Sequence, residues 1–286
     1  MPIKRKARKR KKQKKKKTGL LMTSRAPNSI DGNENMGQVT KATLLAMYSR
    51  LLTSFGPQYW WPAKTRFEVI VGAILVQNTN WSNVEKALTN LKNQKVLTPN
   101  GIDALSAENL ARLIRPAGYF NIKAARLKNF MMFLFQSYGG SLVKMAKADV
   151  VALRHDLLGV NGIGPETADS ILLYAFNKPA FVVDAYTRRV CYRHNFIGRN
   201  AGYDHLQGMF TFHLDCDVDM FNEFHALFVR LGKDFCRPRP NCEQCVLRDF
   251  HYSLKDKCRQ CHRALLKNKK RRRLRGQYFC EGCRGK

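Results

Sequence analysis

The sequence lacks any long hydrophobic run. Its longest uninterrupted apolar stretch covers residues 69–76 and ends at Gln77, whereas a membrane-spanning helix needs roughly 20 apolar residues. The basic N-terminus contains only the apolar patch 20–22, which is too short for the hydrophobic segment of a secretory signal. From these absences we expect an intracellular protein without a membrane partner, in a reducing compartment.

Acidic residues are also scarce. The 286 residues include 51 Lys and Arg but only 21 Asp and Glu, which gives a net charge of +30. Residues 1–17 carry 12 basic residues and no acidic one, and residues 258–286 have a net charge of +10. The remaining residues, 18–257, have a net charge of only +8. A charge of this size needs a polyanion, and nucleic acid is the usual one.

Residues 1–37 lack the hydrophobic content of a folded segment. They are Lys-rich and then rich in Ser, Asn and Gly, a composition that predicts a disordered basic tail. The tail is interpreted either as a nonspecific DNA tether or, if the source has a nucleus, as a nuclear localisation signal. The rest of the chain contributes all 17 Phe and is long enough to bury a core.

No alternating strand pattern and no internal repeat is evident before residue 250. Apolar residues instead recur at helical spacing, and segments rich in Gly, Pro or Asn, such as Pro99-Asn100-Gly101, separate these stretches. The pattern therefore predicts an all-α fold. The predicted helices cover residues 41–54, 65–76, 83–92, 106–114, 123–136, 143–158, 165–177, 184–195 and 219–231.

A glycine-rich turn joins two predicted helices at residues 157–169. Gly162 and Gly164 permit a tight turn, and Pro165 suits the first position of the second helix. Backbone amides at a helix N-terminus bind anions, so Gly162, Gly164 and the nearby Thr167 are predicted to contact a DNA phosphate. An ordinary hairpin of two helices is the alternative, but the basic charge favours DNA binding.

Asp184 follows an apolar run, 181–183, and begins another predicted helix. One interpretation is a helix N-cap, which contributes about 1 kcal/mol. The other is a carboxylate directed into a cleft, where it activates water or stabilises positive charge on a sugar during cleavage of a glycosidic bond.

Together, the hairpin and Asp184 resemble the helix-hairpin-helix DNA glycosylases of the endonuclease III superfamily. The resemblance covers about residues 40–250; segment 162–168 matches the family hairpin and Asp184 the catalytic aspartate. It implies a monomer that acts on double-stranded DNA containing a damaged base. It also implies two lobes with a cleft between them: a six-helix lobe over about 64–182, and a second lobe from 38–63 and 183–250.

The chain lacks one residue of that family's bifunctional members. They carry a Lys one residue before a Thr-Ala pair, and its amine forms a Schiff base with the sugar. This chain has Glu166 there, so the resemblance implies a monofunctional glycosylase with water as the nucleophile. The alternatives are a bifunctional glycosylase/AP lyase that uses another amine, and a damage-binding protein without activity.

All three tryptophans, Trp60, Trp61 and Trp81, lie in two short segments. Tryptophan usually packs in a core, but two adjacent side chains cannot easily face the same core. A glycosylase stacks the flipped base between aromatic rings. A cationic alkylated purine binds more tightly there, because its positive charge is attracted to the faces of the rings. The two segments resemble the 3-methyladenine glycosylases, which implies an alkylated purine as substrate; a mismatched or oxidised base is the alternative.

Gln77 and Tyr119 match the two wedge residues of the superfamily. Such residues fill the gap that a flipped base leaves in the duplex. A polar helix end and an ordinary aromatic turn are the alternatives for these positions.

Two CxxC pairs separated by eighteen residues predict a zinc site near the C-terminus. The segment is too short and too basic for its own core, so metal binding would supply its folding energy. It resembles the zinc finger of formamidopyrimidine-DNA glycosylases, which implies a small zinc β-hairpin over 251–286 with Arg275 at the DNA. The predicted zinc ligands are Cys258, Cys261, Cys280 and Cys283.

A second cysteine group lies at 236–251, where endonuclease III relatives carry a 4Fe-4S loop. Its first gap is one residue shorter than theirs, and His251 stands at the last ligand position. A 4Fe-4S cluster with His251 or a later Cys is favoured; a Cys3His zinc site and a metal-free loop are the alternatives. The candidate ligands are Cys236, Cys242, Cys245 and His251.

Overall fold

The structure is a computed structural model. It describes residues 39–60 and 63–250, and the backbone of residues 272–274 and 277–279. Several sequence predictions lie outside the described residues: the tail 1–37, Trp61, His251, Arg275 and the four zinc ligands, Cys258, Cys261, Cys280 and Cys283.

Twelve α-helices account for most of the described residues, and no strand lies in the described residues 39–60 and 63–250, which confirms the all-α prediction. A 3₁₀ turn (Arg115–Ala117) precedes α6, and a π-helical segment (Ile171–Ala175) continues α9. In chain order the helices are α1 (Lys41–Phe55), α2 (Arg66–Leu75), α3 (Trp81–Asn93), α4 (Pro99–Ala104), α5 (Ala107–Leu113), α6 (Phe120–Tyr138), α7 (Leu142–Ala146), α8 (Val150–Leu158), α9 (Pro165–Ser170), α10 (Ala185–Arg193), α11 (Tyr203–His213) and α12 (Val218–Asp234).

Side-chain caps determine where several helices begin, and one of them corrects the sequence interpretation. Pro99-Asn100-Gly101 was interpreted as a break, which is wrong: these residues form the first turn of α4. The Thr98 hydroxyl accepts the Gly101 N–H at 3.0 Å, and Pro99 occupies a position where its missing N–H costs nothing.

Two further differences concern helix boundaries. The single helix predicted over 143–158 is two, because Asp149 caps α8 by accepting the N–H groups of Val151 and Ala152. Helix α11 was not predicted at all. It begins at Gly202 without a side-chain cap and buries only Leu206 and Phe210, so it has neither a strong start signal nor a wide apolar face.

The buried apolar side chains form two clusters. The first draws on residues between Phe67 and Ala180. The second combines α1 with Leu173 and with residues between Phe181 and Leu247. The second cluster includes six buried phenylalanines, and the rings of Phe181 and Phe210 stack with centroids 3.9 Å apart. Such burial is the main favourable contribution to folding.

Two short strands lie near the C-terminus, β1 (Arg272–Leu274) and β2 (Gln277–Phe279). They pair antiparallel, with Arg272 opposite Phe279 and Leu274 opposite Gln277. They stand where the zinc β-hairpin is predicted, but the predicted ligands lie outside the described residues. In the described part of the chain, no helix is both long and apolar enough to cross a membrane.

Candidate active site

The hairpin, Asp184 and the first predicted wedge residue line one cleft of about 1230 Å³. Its lining combines the end of α2, the hairpin before α9, the start of α10 and the end of α12. Predicted site residues in this lining are Gln77, Gly162, Gly164, Thr167 and Asp184, and Glu166 stands among them. The lining therefore contains side chains from the segments that form the first apolar cluster and from those that form the second.

Asp184 caps α10 and also faces the cleft. Its Oδ1 accepts the Thr187 N–H at 2.7 Å, and its Oδ2 lies 3.7 Å from Nε2 of His225. Burial by itself raises the pKa of the Asp184 carboxyl, but His225 and the Thr187 N–H outweigh burial and hold the pKa below its usual range. The site thus contains an ionised carboxylate that is only 13% exposed.

Glu166 is the second carboxylate of the cleft. It lies in the first turn of α9, and its pKa is raised by burial and by the charge of Asp184, with His225 opposing the shift. The environments therefore move the pKa values of two neighbouring carboxyls in opposite directions, a pattern typical of acid–base sites. Within the described lining, Lys233 is the lysine of the cleft.

The hairpin turn depends on Gly162. Its φ is +95°, and a Cβ added there would lie 2.3 Å from Cγ of Arg126, so only glycine fits without rearrangement. Gly164, two residues later, caps α9 with a φ of −91°, and nothing lies within 4 Å of a Cβ built on it. A side chain is therefore excluded at position 162 but can be accommodated at position 164.

We expect Gly162→Ala to lower the free energy of unfolding by about 1–3 kcal/mol, because alanine at this φ is strained and displaces Arg126. Gly164→Ala is the matched control, and it should leave the free energy of unfolding within about 0.5 kcal/mol of the wild type. Urea unfolding of both variants measures the difference. Equal effects of the two substitutions would contradict this description of the hairpin.

Gln77, the first predicted wedge residue, is held by the hairpin. Its Nε2 donates to the Gly162 carbonyl at 3.1 Å and to Oγ1 of Thr167 at 2.8 Å, and its Oε1 accepts from Arg126. Thr167 is buried. If Gln77 inserts into DNA as a wedge, its side chain must break these hydrogen bonds and form new ones with the DNA. Arg126 was missed by sequence reasoning because a single basic residue on the partly exposed face of a helix carries no motif signal.

Tyr119, the second predicted wedge residue, projects into solvent. It precedes α6 with a left-handed φ of 46° and is 67% exposed. The buried Lys123 lies one turn further on. Its Nζ donates to the carbonyls of Leu75 at 2.9 Å and Ala117 at 2.7 Å, each two residues before a predicted wedge residue. Lys123 therefore fixes the distance between the two predicted wedge segments.

The two described tryptophans do not meet in the cleft lining. Trp60 is half-buried with its ring edge-on to His225, 6.3 Å between centroids, and the ammonium of Lys233 lies 5.6 Å above it. Trp81 begins α3 and packs against the first core cluster. Trp60 thus borders the Asp184 side of the site, and the three-tryptophan base pocket stays a prediction.

The cysteine loop follows α12. Cys236 and Cys245 are buried and Cys242 is half-buried, and Arg193 donates to the Cys236 sulfur at 3.4 Å. Among the described residues, no group of three or more His, Cys, Asp or Glu side chains is arranged to hold a metal ion. Because His251 and the zinc ligands lie outside these residues, both metal sites stay predictions.

Comparison with known proteins identifies the family of the chain. Residues 71–210 match the model of the HhH-GPD superfamily base excision DNA repair proteins. A putative DNA repair glycosylase of Methanocaldococcus jannaschii is 47% identical over 206 residues, which are 71% of this chain and 93% of that protein. The chain therefore belongs to the HhH-GPD superfamily and is a DNA glycosylase of the base excision repair class.

Two solved structures show the same fold. The H. pylori 3-methyladenine DNA glycosylase bound to 1,N6-ethenoadenine is 28% identical, with a TM-score of 0.57, and the match covers 68% of this chain and 98% of that one. An endonuclease III–DNA complex is 21% identical, with a TM-score of 0.64 and coverage of 74% and 95%. The similar structures thus include a 3-methyladenine DNA glycosylase and an endonuclease III.

Proposed function

We propose that this protein is a monofunctional glycosylase that removes a damaged base from double-stranded DNA, with water as the nucleophile. The observation that carries the proposal is the pair of carboxylates in the cleft. Asp184 has a lowered pKa and is ionised, and Glu166, in the first turn of α9, corresponds by sequence resemblance to the Schiff-base lysine of bifunctional relatives. A carboxylate cannot form a Schiff base, because only an amine condenses with the opened sugar.

In the proposed reaction, the damaged nucleotide is flipped out of the duplex into the cleft. The Asp184 carboxylate stabilises positive charge on the sugar as the bond between C1′ and the base breaks, and it orients the water that adds to C1′. A cationic alkylated purine leaves with the bonding electron pair as a neutral base, the water that adds to C1′ gives up its proton to Asp184, and an abasic site remains. Arg189, Lys233 and Arg237 line the same cleft and supply positive charge for neighbouring phosphates.

For the substrate, we propose an alkylated purine such as 3-methyladenine. Support comes from the likeness to the H. pylori 3-methyladenine glycosylase and from Trp60 beside the Asp184–His225 pair, since a cationic base stacks favourably on an aromatic face. The alternative is a mismatched or oxidised base, because the endonuclease III likeness supports the superfamily as a whole and no particular base.

A panel of DNA substrates tests the substrate class. It contains methylated DNA, and duplexes with 1,N6-ethenoadenine, a G·U or G·T mismatch, 8-oxoguanine or thymine glycol, and the released base is identified by chromatography. We expect release of methylated purines at the highest single-turnover rate. If a mismatched or oxidised base is released faster, that base is the substrate and the alkylated purine is not. The protein would still be a DNA glycosylase.

Borohydride trapping tests the monofunctional assignment. Borohydride reduces a Schiff base to a stable adduct, so a bifunctional enzyme becomes covalently attached to its DNA. We expect no adduct with this protein under conditions that trap an AP lyase. An adduct would overturn the assignment, and its loss in Lys233→Met would identify the cleft lysine as the amine.

Two metal sites belong to the proposal on sequence grounds. The residues for the 4Fe-4S cluster are Cys236, Cys242, Cys245 and His251, and those for zinc are Cys258, Cys261, Cys280 and Cys283. A brown colour with equal amounts of iron and acid-labile sulfide would support the cluster, and one bound zinc per chain would support the finger. Purified protein that contains neither metal would contradict both assignments.

A further inference from the structure

A buried histidine lies directly behind the Asp184 carboxylate. His225 is on α12 and is 5% exposed. Its Nε2 lies 3.7 Å from Oδ2 of Asp184, and its Nδ1 lies 2.5 Å from the hydroxyl of Tyr174 in the π-helical segment. Neither His225 nor Tyr174 belongs to any of the sequence motifs, and the proposed reaction has not used them.

We propose that Tyr174 and His225 form a positioning pair that keeps the Asp184 carboxylate ionised and oriented for base release. In this pair the Tyr174 hydroxyl donates to Nδ1 of His225, and the imidazole proton therefore sits on Nε2, facing Asp184. The inference rests on the proposed glycosylase function and names the side chains that prepare its carboxylate.

The direction of the hydrogen bonds follows from the partners of Tyr174. Burial and the charge of Asp184 raise the pKa of its phenol well above the usual value, while a hydrogen bond with Trp60 lowers it, so Tyr174 keeps its proton. Nδ1 is the ring nitrogen within reach of the protonated phenol, so the Tyr174 hydroxyl can donate to it. The Asp184 carboxylate, 3.7 Å from Nε2, favours a proton on that second nitrogen.

With Nδ1 as acceptor, the imidazole carries its proton on Nε2. Nε2 is buried and has no hydrogen-bond partner among the described residues, which is costly for a donor. Its charged neighbour is Oδ2 of Asp184, and a movement of less than about 1 Å would bring the pair to hydrogen-bond distance. Since Thr187 holds Oδ1, His225 determines the orientation of the other oxygen.

The charged and titratable groups around the pair come from several segments. Asp184 precedes α10, Tyr174 is in the π-helical segment, and Glu166 is in α9 and interacts electrostatically with His225. Lys233, two turns along α12, lies over Trp60. Within this set, His225 provides the interaction that most opposes the effect of burial on Asp184, so its removal should leave Asp184 easier to protonate.

The test compares three variants in single-turnover base release over a range of about pH 4 to 9. His225→Leu removes the donor, His225→Gln places an amide donor near Nε2, and Tyr174→Phe removes only the hydroxyl. Asp184 must be ionised, so a raised pKa moves the acid limb of the rate profile to higher pH. We expect a shift of about one pH unit, and hence about tenfold slower release on that limb, for His225→Leu.

His225→Gln should restore most of the acid limb, and Tyr174→Phe should shift it in the same direction as His225→Leu but by less. Thermal unfolding of each variant and its affinity for undamaged duplex serve as controls. A uniform loss of rate at every pH, with the acid limb unchanged and no rescue by Gln, would show a merely structural role and overturn the inference.

A second measurement does not depend on activity. Long-range ¹H–¹⁵N spectra of the imidazole nitrogens, assigned with His225→Gln, should show Nδ1 unprotonated and Nε2 protonated. The opposite tautomer would overturn the inference. If the wild type releases no base from any substrate, the proposed function fails; if it releases base but His225→Leu leaves the acid limb unchanged, the positioning pair alone fails.

Discussion

Asp184→Asn should lower the single-turnover rate of base release by about 10³-fold, the middle of the range for loss of a general acid–base group. Asparagine has nearly the same shape and still accepts the Thr187 N–H, so α10 keeps its cap. It carries no negative charge, however, and can neither accept a proton from water nor stabilise a cationic sugar. The affinity for lesion-containing duplex should change little.

Asp149→Asn is the matched control. Asp149 also caps a helix, α8, through backbone N–H groups, and these hydrogen bonds lower the pKa of its carboxyl. It is exposed and does not line the cleft. We expect wild-type rates for this variant. A similar loss in both variants would mean that helix capping matters and the charge does not; full activity of Asp184→Asn would refute the mechanism.

Arg154→Met should lower the free energy of unfolding by about 3–5 kcal/mol, the cost of leaving a buried charge without its partner. Asp169 is fully buried. Its Oδ1 accepts from Nε of Arg154 at 2.7 Å and its Oδ2 from Nη2 at 3.1 Å, while Gln207 donates to Oδ2 at 2.7 Å. Methionine retains the aliphatic contacts of the arginine but not its charge.

The same substitution at Arg230 is the control. Arg230 forms an exposed pair with Asp234 one turn further along α12, and such surface pairs contribute about 0.3–0.5 kcal/mol. Urea unfolding should therefore give a large loss for Arg154→Met and nearly none for Arg230→Met. Equal losses would show that the buried Asp169 does not depend on Arg154.

The sequence predicted the parts of the site that short motifs encode. Gly162 could be identified because its turn requires a positive φ, Gly164 because it directly precedes a helix that starts with proline, and Asp184 because it stands between an apolar run and a helix. The structure brings both to one cleft, together with Gln77. Glu166 could be identified as a departure from the family pattern. The structure places this carboxyl in the cleft lining together with Asp184.

Other site residues could not be found from one sequence. His225 and Tyr174 lie 51 positions apart, so their contact depends on the packing of α12 against the π-helical segment. One signal was present: His225 follows Phe224 and precedes Phe228 on the buried face of α12, and a histidine on such a face needs a polar partner. Arg126 gave no signal, because only the fold places it under Gly162.

The most direct test of the central claim is strand cleavage of an end-labelled duplex, scored before and after alkali. The duplex carries the lesion that the substrate panel identifies, and the wild type and Asp184→Asn are assayed side by side. We expect the wild type to leave an intact strand that breaks only after alkali, and Asp184→Asn to leave it intact after both treatments. Strand breaks before alkali with the wild type would contradict the account.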